Sequence, residues 1–382
     1  MKALVAIDSF KGCISSFEAN ASAEKALLEY GFPESVLSLF PVSDGGEGFC
    51  KVLSHYLPNA VEIPVAVHAP AGNIIMATYL WDDCTVYVES ASSCGYNLVD
   101  DAFRNPLLTS SLGLGEMIKD AIRKGATRII VGLGGTAVCD GGIGLLQGLG
   151  VSVFSDNGIL KPGVPAMLKH ITGIDLSPLK SIHCQFEAWT DTNATFSGSN
   201  GAVRIFGRQK GISAEWADDA ERWMESLLPM LGLDNEMYAA GAAGGIGGTL
   251  LGPLDADLKS GAEMILEFSG MIDSFKAAGD EKVLVITGEG RYDTQTLTGK
   301  LPYIVANAAK HNCGHAEVVC IAGKVETDCC GPFDDVIQVT PDRMPFEESM
   351  KPDVASQNIQ SSLKSFLLLN ENGQPFSRPF PK

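Results

Sequence analysis

The chain is poor in positive charge. Its 28 Lys and Arg face 46 Asp and Glu, a formal net charge of −18. Nucleic acid and anionic membrane surfaces are held by an excess of basic residues, so the balance argues against both as partners. No apolar run approaches the roughly 18 residues of a membrane span. The opening Met1–Asp8 is too short and too soon charged for a signal peptide and reads as a first strand. A CxxC pair is also missing: ten Cys are scattered through the chain, as suits reduced thiols in the cytoplasm rather than a disulfide framework. His311, Cys313, His315 and Cys320 have no metal-ligand spacing, and Cys329–Cys330 belongs to no wider motif. The phosphate loop G-x-x-x-x-G-K-[ST] is absent too, because Gly299-Lys300 is followed by Leu301 and preceded by Thr294 at the first Gly position. A P-loop kinase is thereby excluded.

What is present is a core-forming composition, 45% hydrophobic and 19% charged, over a length of 382 residues that predicts two domains. The pattern opens as βαβα: a strand over Ala3–Ile7, a helix over Ser16–Tyr30, a strand over Val36–Val42 and a helical segment beyond Glu47. Such alternation predicts a parallel sheet with helices on its faces. Val61–Val67, Ile74–Trp81 and Thr85–Glu89 then follow too closely for intervening helices and predict an antiparallel meander. A helix is expected over Arg104–Lys124, a buried strand over Arg128–Leu133, an extended run over Cys184–Trp189 and a helix over Ala214–Leu231. Alternation returns with strands at Val283–Ile286, Val318–Ala322 and Val336–Val339 and a closing helix at Asp353–Leu369. The expected fold class is α/β: a Rossmann- or flavodoxin-like parallel-sheet domain from residues 1–60 and 271–369, with a second, mixed α/β domain (61–270) inserted and a tail at 370–382.

Six glycine-punctuated segments carry candidate chemistry. Asp8-Ser9-Phe10-Lys11-Gly12 ends the first strand with an acid and an ammonium three residues apart, suited to an anionic or hydroxylated ligand; helix capping is the plainer alternative. Ser43-Asp44-Gly45-Gly46-Glu47-Gly48 ends the second strand with more glycines than a tight turn needs. Gly132-Leu133-Gly134-Gly135-Thr136-Ala137-Val138-Cys139-Asp140-Gly141-Gly142 satisfies G-x-G-x-x-[GA], with Asp156 roughly where a ribose-binding acid would fall. Its position after a meander makes it a general anion or nucleotide cradle rather than a dinucleotide fingerprint. Thr190-Asp191-Thr192-Asn193, with Arg208-Gln209-Lys210-Gly211 soon after, places an acid near two bases. Gly241–Gly248 is either a phosphate loop or a site of close helix packing. Ile286-Thr287-Gly288-Glu289-Gly290-Arg291-Tyr292-Asp293 is expected as a loop beyond a strand's carboxyl end, where α/β sheets bind ligands, with Gly299-Lys300 behind it.

Together with Arg104-Asn105-Pro106-Leu107-Leu108-Thr109-Ser110-Ser111, these motifs run from residue 3 to about 325 in an order that resembles the type I glycerate kinases. The resemblance implies ATP-dependent phosphorylation of D-glycerate, 2-phosphoglycerate favoured over 3-phosphoglycerate, with Mg²⁺, an active site between two domains, and room for a homodimer. It implies Asp191 as general base with Asp44 as second choice, and Lys11, Arg104 and Arg291 for the carboxylate or the moving phosphoryl group. Asp8, Ser9, Glu47, Asn105 and Lys210 complete the substrate side. Gly134, Gly135, Thr136, Gly141, Gly142, Gly288, Glu289 and Lys300 serve the nucleotide, and Asp191 or Asp293 the metal. The chain departs from the family pattern at Cys139, where Asn is usual, at Asp191-Thr192-Asn193-Ala194-Thr195, and at Arg208, where Pro is usual. Two other readings stand beside the kinase: a nicotinamide-dependent hydroxy-acid dehydrogenase, and a non-catalytic glycerate sensor.

Overall fold

The computed structural model describes residues 1–100, 105–161 and 163–373. In chain order the strands are β1 (Lys2–Ile7), β2 (Leu37–Leu39), β3 (Val61–His68), β4 (Ile74–Asp82), β5 (Thr85–Glu89), β6 (Arg128–Gly132) and β7 (Ser152–Ser155). They continue with β8 (Gly158–Ile159), β9 (Ile171–Asp175), β10 (Gln185–Trp189), β11 (Asp257–Lys259), β12 (Val283–Tyr292), β13 (Ala316–Val325) and β14 (Asp335–Gln338). The protein is α/β, and its contacts divide it into two compact units, Met1–Asp44 with Ala262–Lys382, and Gly45–Gly261.

The first unit, built from both chain ends, holds a sheet in the order β14-β13-β12-β1-β2 in which every pairing is parallel. Counted within the unit, that is the 2-1-3-4-5 order of flavodoxin-like folds, with its switch point between β1 and β12. Apolar runs make this possible: Ala3, Val5 and Ile7 of β1 pack with Leu284, Ile286, Val319 and Ile321 beneath Ala19, Ala23 and Leu27 of the helix Ser16–Tyr30 and Ile359 and Leu363 of the helix Pro352–Gly373. Both faces of such a sheet are covered, so its strands read as continuous hydrophobic runs. The first helix is started by a capping box, Ser15 with Glu18, and stopped by Gly31 in the left-handed region.

The second unit holds a six-stranded sheet, β11-β10-β6-β5-β4-β3, and a small antiparallel sheet, β8-β7-β9. The expected meander is present as β3-β4-β5, and β5 then pairs parallel with β6, so that β5, β6, β10 and β11 run in one direction. Their carboxyl ends therefore share one edge.

Several expectations need correction. The helix Phe49–Tyr56, expected with the first unit, belongs to the second: the Gly48 and Cys50 N–H groups donate to Glu89 at the end of β5, and the Phe49 ring meets Trp189 edge-on at 5.5 Å. The division thus falls after Asp44 rather than near residue 60, and after Gly261 rather than 270. The helix expected from Arg104 begins at Leu112, because Pro106 opens a separate 3₁₀ turn over Pro106–Leu108. β12 does not end at Ile286 but continues to Tyr292, held in register with β13 from Val283↔Ala316 to Tyr292↔Val325. The Gly288–Tyr292 motif is therefore strand, and only Asp293 onward is turn. The last helix runs through Gly373, past the expected start of the tail, of which 374–382 lie outside the described residues.

Candidate functional site

In the first unit the candidate residues gather at the switch point. The helix after β1 packs with the C-terminal helix on one face of the sheet, whereas Leu301–Asn312, which follows β12, packs with Met271–Ala278 and stands apart from that cluster. The chain leaves β1 and β12 in different directions, which opens a crevice at their carboxyl ends. Asp8 lies there, its N–H donating to Gly288 O at 2.9 Å, with Glu289 next along β12.

Asp8 is buried and accepts the Ser9 N–H at 2.7 Å, so the Ser9 backbone donor is occupied locally. Burial and then the neighbouring Asp44 push the Asp8 carboxyl well above its ordinary range, against the pull of Lys11. Lys11 Nζ donates to Asp44 Oδ2 at 2.5 Å, and Asp44, Asp8 and Glu289 all hold its charge in place. Glu289, also buried, accepts from Thr296 Oγ1 at 2.6 Å and from Lys300 Nζ at 3.3 Å, and burial raises its pKa. Asp293 lies 3.8 Å from both Lys300 and Arg291, and Arg291 Nε donates to Glu326 at 2.9 Å. Three carboxylates therefore face one ammonium around Lys11, an arrangement that accepts hydroxyl groups more readily than a further anion. Gly288 has a structural reason to be glycine, since a Cβ there would come within 2.2 Å of Ile321 O on β13.

The polar groups that sequence reasoning missed here lie on a helix. Ser16 Oγ and Asn20 Nδ2 both donate to Ile7 O, and Ser16 Oγ also accepts the Val42 N–H. They tie the ends of β1 and of the 40–44 segment together. Two polar residues on the inward stripe of an amphipathic helix were the available signal.

In the second unit the candidates collect beyond β5, β6 and β10. Ser90 Oγ exchanges hydrogen bonds with Gly134, accepting its N–H at 3.2 Å and donating to its carbonyl at 3.1 Å. Gly134 has no room for a side chain, because a Cβ would meet Gly46 Cα at 2.7 Å. Gly135 follows at φ +65°, and the N–H groups of Gly135 and Thr136 have no acceptor among the described residues. Consecutive free N–H groups turned by a left-handed residue make an anion-binding nest. Lys210, buried, donates to Thr136 Oγ1 at 3.0 Å and to Val138 O at 2.6 Å, so this candidate stands against the same turn.

Gly141 and Gly142 play a different part. Their N–H groups donate to Gly244 O and to Asp140 Oδ1, and both sit in the left-handed region. Asp140 is fully buried and also accepts from Ser111 N, Ser111 Oγ and Gly144 N. Burial raises its pKa while those donors pull it down. The 141–144 segment is an internal hydrogen-bonded brace, with its N–H donors already committed. Gly241–Gly248 shows the close packing of the two alternatives: Ala243, Gly244 and Gly245 turn through the left-handed region and kink the helix Ala242–Leu251, and a Cβ on Gly244 would strike Val138 O at 2.1 Å. Asp156 sits in the β7–β8 turn, far from the role of a ribose ligand in a Rossmann unit.

Asp191 follows β10, where Thr190 Oγ1 donates to Leu133 O and Asp191 Oδ1 accepts from Ser260 Oγ at 2.7 Å. Glu47 accepts from Asn97 Nδ2 at 2.9 Å, and Asn105 caps its own 3₁₀ turn through Leu107 N. Arg104 lies outside the described residues. Among the described residues no three His, Cys, Asp or Glu side chains are grouped to hold a metal, and no helix is long and apolar enough to cross a membrane.

Comparison with known proteins adds a lineage to this geometry. The model of the "Glycerate kinase family" matches residues 3–369. A glycerate kinase of Bacillus subtilis (strain 168) is 36% identical over 365 residues, covering 92% of this chain and 93% of that protein. A glycerate 2-kinase of Escherichia coli (strain K12) is 36% identical over 337 residues, 86% of each chain. A crystal structure assigned to glycerate kinase 2 of Salmonella typhimurium LT2 superposes with a TM-score of 0.75 at 30% identity, covering 98% of this chain and 99% of that one.

Proposed function

The chain belongs to the glycerate kinase family, and on that footing we propose that it transfers the γ-phosphoryl group of ATP to the 2-hydroxyl of D-glycerate, giving 2-phosphoglycerate and ADP. The observation that carries the nucleotide half is the Gly134–Thr136 turn, with two unclaimed N–H groups and a buried ammonium behind it. The choice of the 2-hydroxyl draws on the relative named glycerate 2-kinase. All ten cysteines are free thiols, which favours a cytoplasmic setting.

Phosphoryl transfer needs alignment and charge neutralisation more than covalent help. In this reading the turn holds nucleotide phosphate oxygens, and the Asp8–Asp44–Glu289 cluster around Lys11 accepts hydroxyl groups of the organic acid. Asp191 takes the proton of the attacking hydroxyl. It is preferred to Asp44 because Asp44 already neutralises an ammonium at 2.5 Å. The same criterion tests the fit of Mg²⁺, which needs only one or two carboxylates beside phosphate oxygens and waters. Asp293 lies between two cations and is a poor ligand; Asp191 fits. Bound with the nucleotide, the ion would neutralise phosphate charge. Lys300 and Glu289 act as a fixed pair that shapes the β12 turn.

Phosphorus NMR of the protein with ATP, Mg²⁺ and D-glycerate tests the proposal. A new phosphomonoester signal coupled to one proton, with ADP, is expected. Coupling to two protons would move the product to the 3-phosphate, and the absence of both product and ADP would defeat the kinase reading in favour of a sensor.

A further inference from the structure

We propose that Lys210 is a positioning residue that charges and fixes the Gly134–Thr136 turn for a nucleotide phosphate, acting through Thr136 and Val138, and that it does not touch the organic acid. The inference rests on the kinase reading above and assigns Lys210 a different part from the substrate contact implied by resemblance.

Lys210 closes the short helix Arg208–Lys210 ahead of Gly211, which stands at φ +105°. Its side chain is directed inward, and only 7% of the residue is exposed. Both of its hydrogen-bond acceptors, Thr136 Oγ1 and Val138 O, are neutral. Among the described residues it makes no ion pair. The nearby thiols do not supply the missing charge: burial pushes Cys94 up to about 12 and Cys139 up to about 11, so both stay protonated at neutral pH. Asp140 attracts Lys210 at longer range, but its oxygens are taken by Ser111, Gly142 and Gly144.

A buried ammonium without a carboxylate is costly, and burial here disfavours its charged form. A site that tolerates this cost is one in which an arriving anion supplies the balance. The place for that anion is next to the lysine, at the unclaimed N–H groups of Gly135 and Thr136. The lysine and the turn are also fastened together from a second side: Tyr96 N–H donates to Gly135 O at 3.0 Å, and the Tyr96 hydroxyl donates to Gln209 O at 2.5 Å. A substrate carboxylate would have to reach the third N–H of Lys210 inside this buried arrangement, since the other two are spent on Thr136 and Val138. A phosphate on the turn displaces nothing.

The test compares Lys210→Met, Thr136→Val and Thr136→Ser with the unaltered protein. ADP and inorganic tripolyphosphate binding are read by calorimetry, and the KM for ATP and for D-glycerate by steady-state kinetics. Lys210→Met is expected to weaken ADP and tripolyphosphate binding and raise the ATP KM by about 30-fold, with the D-glycerate KM moving less than about threefold. Thr136→Val should weaken phosphate binding in the same direction, and Thr136→Ser should restore it. A rise in the D-glycerate KM alone, or unchanged tripolyphosphate binding in a folded Lys210→Met protein, overturns the inference. If Lys210→Met does not fold, the Val and Ser variants decide, and equal binding by the two overturns it. An unaltered protein that makes phosphoglycerate while these variants bind as it does loses this inference alone. An unaltered protein that binds no nucleotide loses the kinase reading and this inference with it.

Discussion

Glu289 and Lys300 meet at 3.3 Å across the turn that closes β12, and the second carboxylate oxygen accepts the Thr296 hydroxyl at 2.6 Å. The pair fixes where the strand stops and the chain turns toward the helix Leu301–Asn312. Glu289 is buried and Lys300 about one-third exposed, so loss of the lysine leaves a carboxylate short of its cation in a partly screened place. Lys300→Met should cost about 1–2 kcal/mol of stability, between the values for exposed and buried pairs. Urea unfolding measures it, and an unchanged midpoint would show that the pair does not hold the turn.

Asp8 should make stability fall as pH rises. Its folded-state pKa is raised, first by burial and then by Asp44, so the folded protein keeps this proton where the unfolded chain has lost it. The slope is therefore negative above the ordinary carboxylate range, up to the raised value. Asp8→Asn retains an acceptor for the Ser9 N–H and removes the charge. Its melting temperature at pH 8 should exceed that of the unaltered protein by about 2 °C or more, with the difference vanishing near pH 4. A lower melting temperature at pH 8 contradicts the argument.

Asp140→Ala would strand the N–H groups of Ser111, Gly142 and Gly144 in the interior. At about 1–3 kcal/mol for each buried donor left unpaired, little folded protein should remain. Asp140→Asn should retain the fold at a cost of about 1–3 kcal/mol, since its amide would face a donor. An Asp140→Asn protein of unchanged melting temperature but lost turnover would instead place this residue in the chemistry.

Asp191→Asn should lower kcat by about 100-fold or more with melting behaviour unchanged, as for loss of a general base. A change under about threefold removes Asp191 from that role. Activity under saturating ATP and D-glycerate is the measurement.

Gly288→Ala should separate β12 from β13, because the new methyl would lie 2.2 Å from Ile321 O. A loss of about 2–4 kcal/mol is expected by denaturant titration. If the variant is as stable as the parent, the crowding is relieved by a small strand shift and Gly288 is there for another reason.

Much of this was legible in the sequence. Apolar runs at Ala3–Ile7 and Val283–Ile286 marked the parallel sheet, and the spacing of Val61–Glu89 left room only for a meander, as β3-β4-β5 bears out. Family membership was legible because many short motifs kept their order from residue 3 to about 325. The limits of β12 were not legible, since glycine reads as a loop wherever a neighbouring strand is not in view. Neither was the allegiance of Phe49–Tyr56, which Glu89 and Trp189 decide from 40 and 140 residues away.

The sequence by itself determined composition, alternation and the order of motifs, and with them the α/β class and the lineage, because these rest on local periodicity and on which residues follow which. Tertiary structure alone decided the work of each glycine and charge. Among the described residues Gly135 and Thr136 keep their N–H groups unclaimed while Gly141 and Gly142 spend theirs on Gly244 and Asp140, though all four stand in one glycine-rich run. Lys210 is buried against neutral acceptors, whereas Lys11 faces three carboxylates. The physical reason is the same in each case: a hydrogen bond or a charge has its value from the group opposite, and the chain brings that group from far along its length.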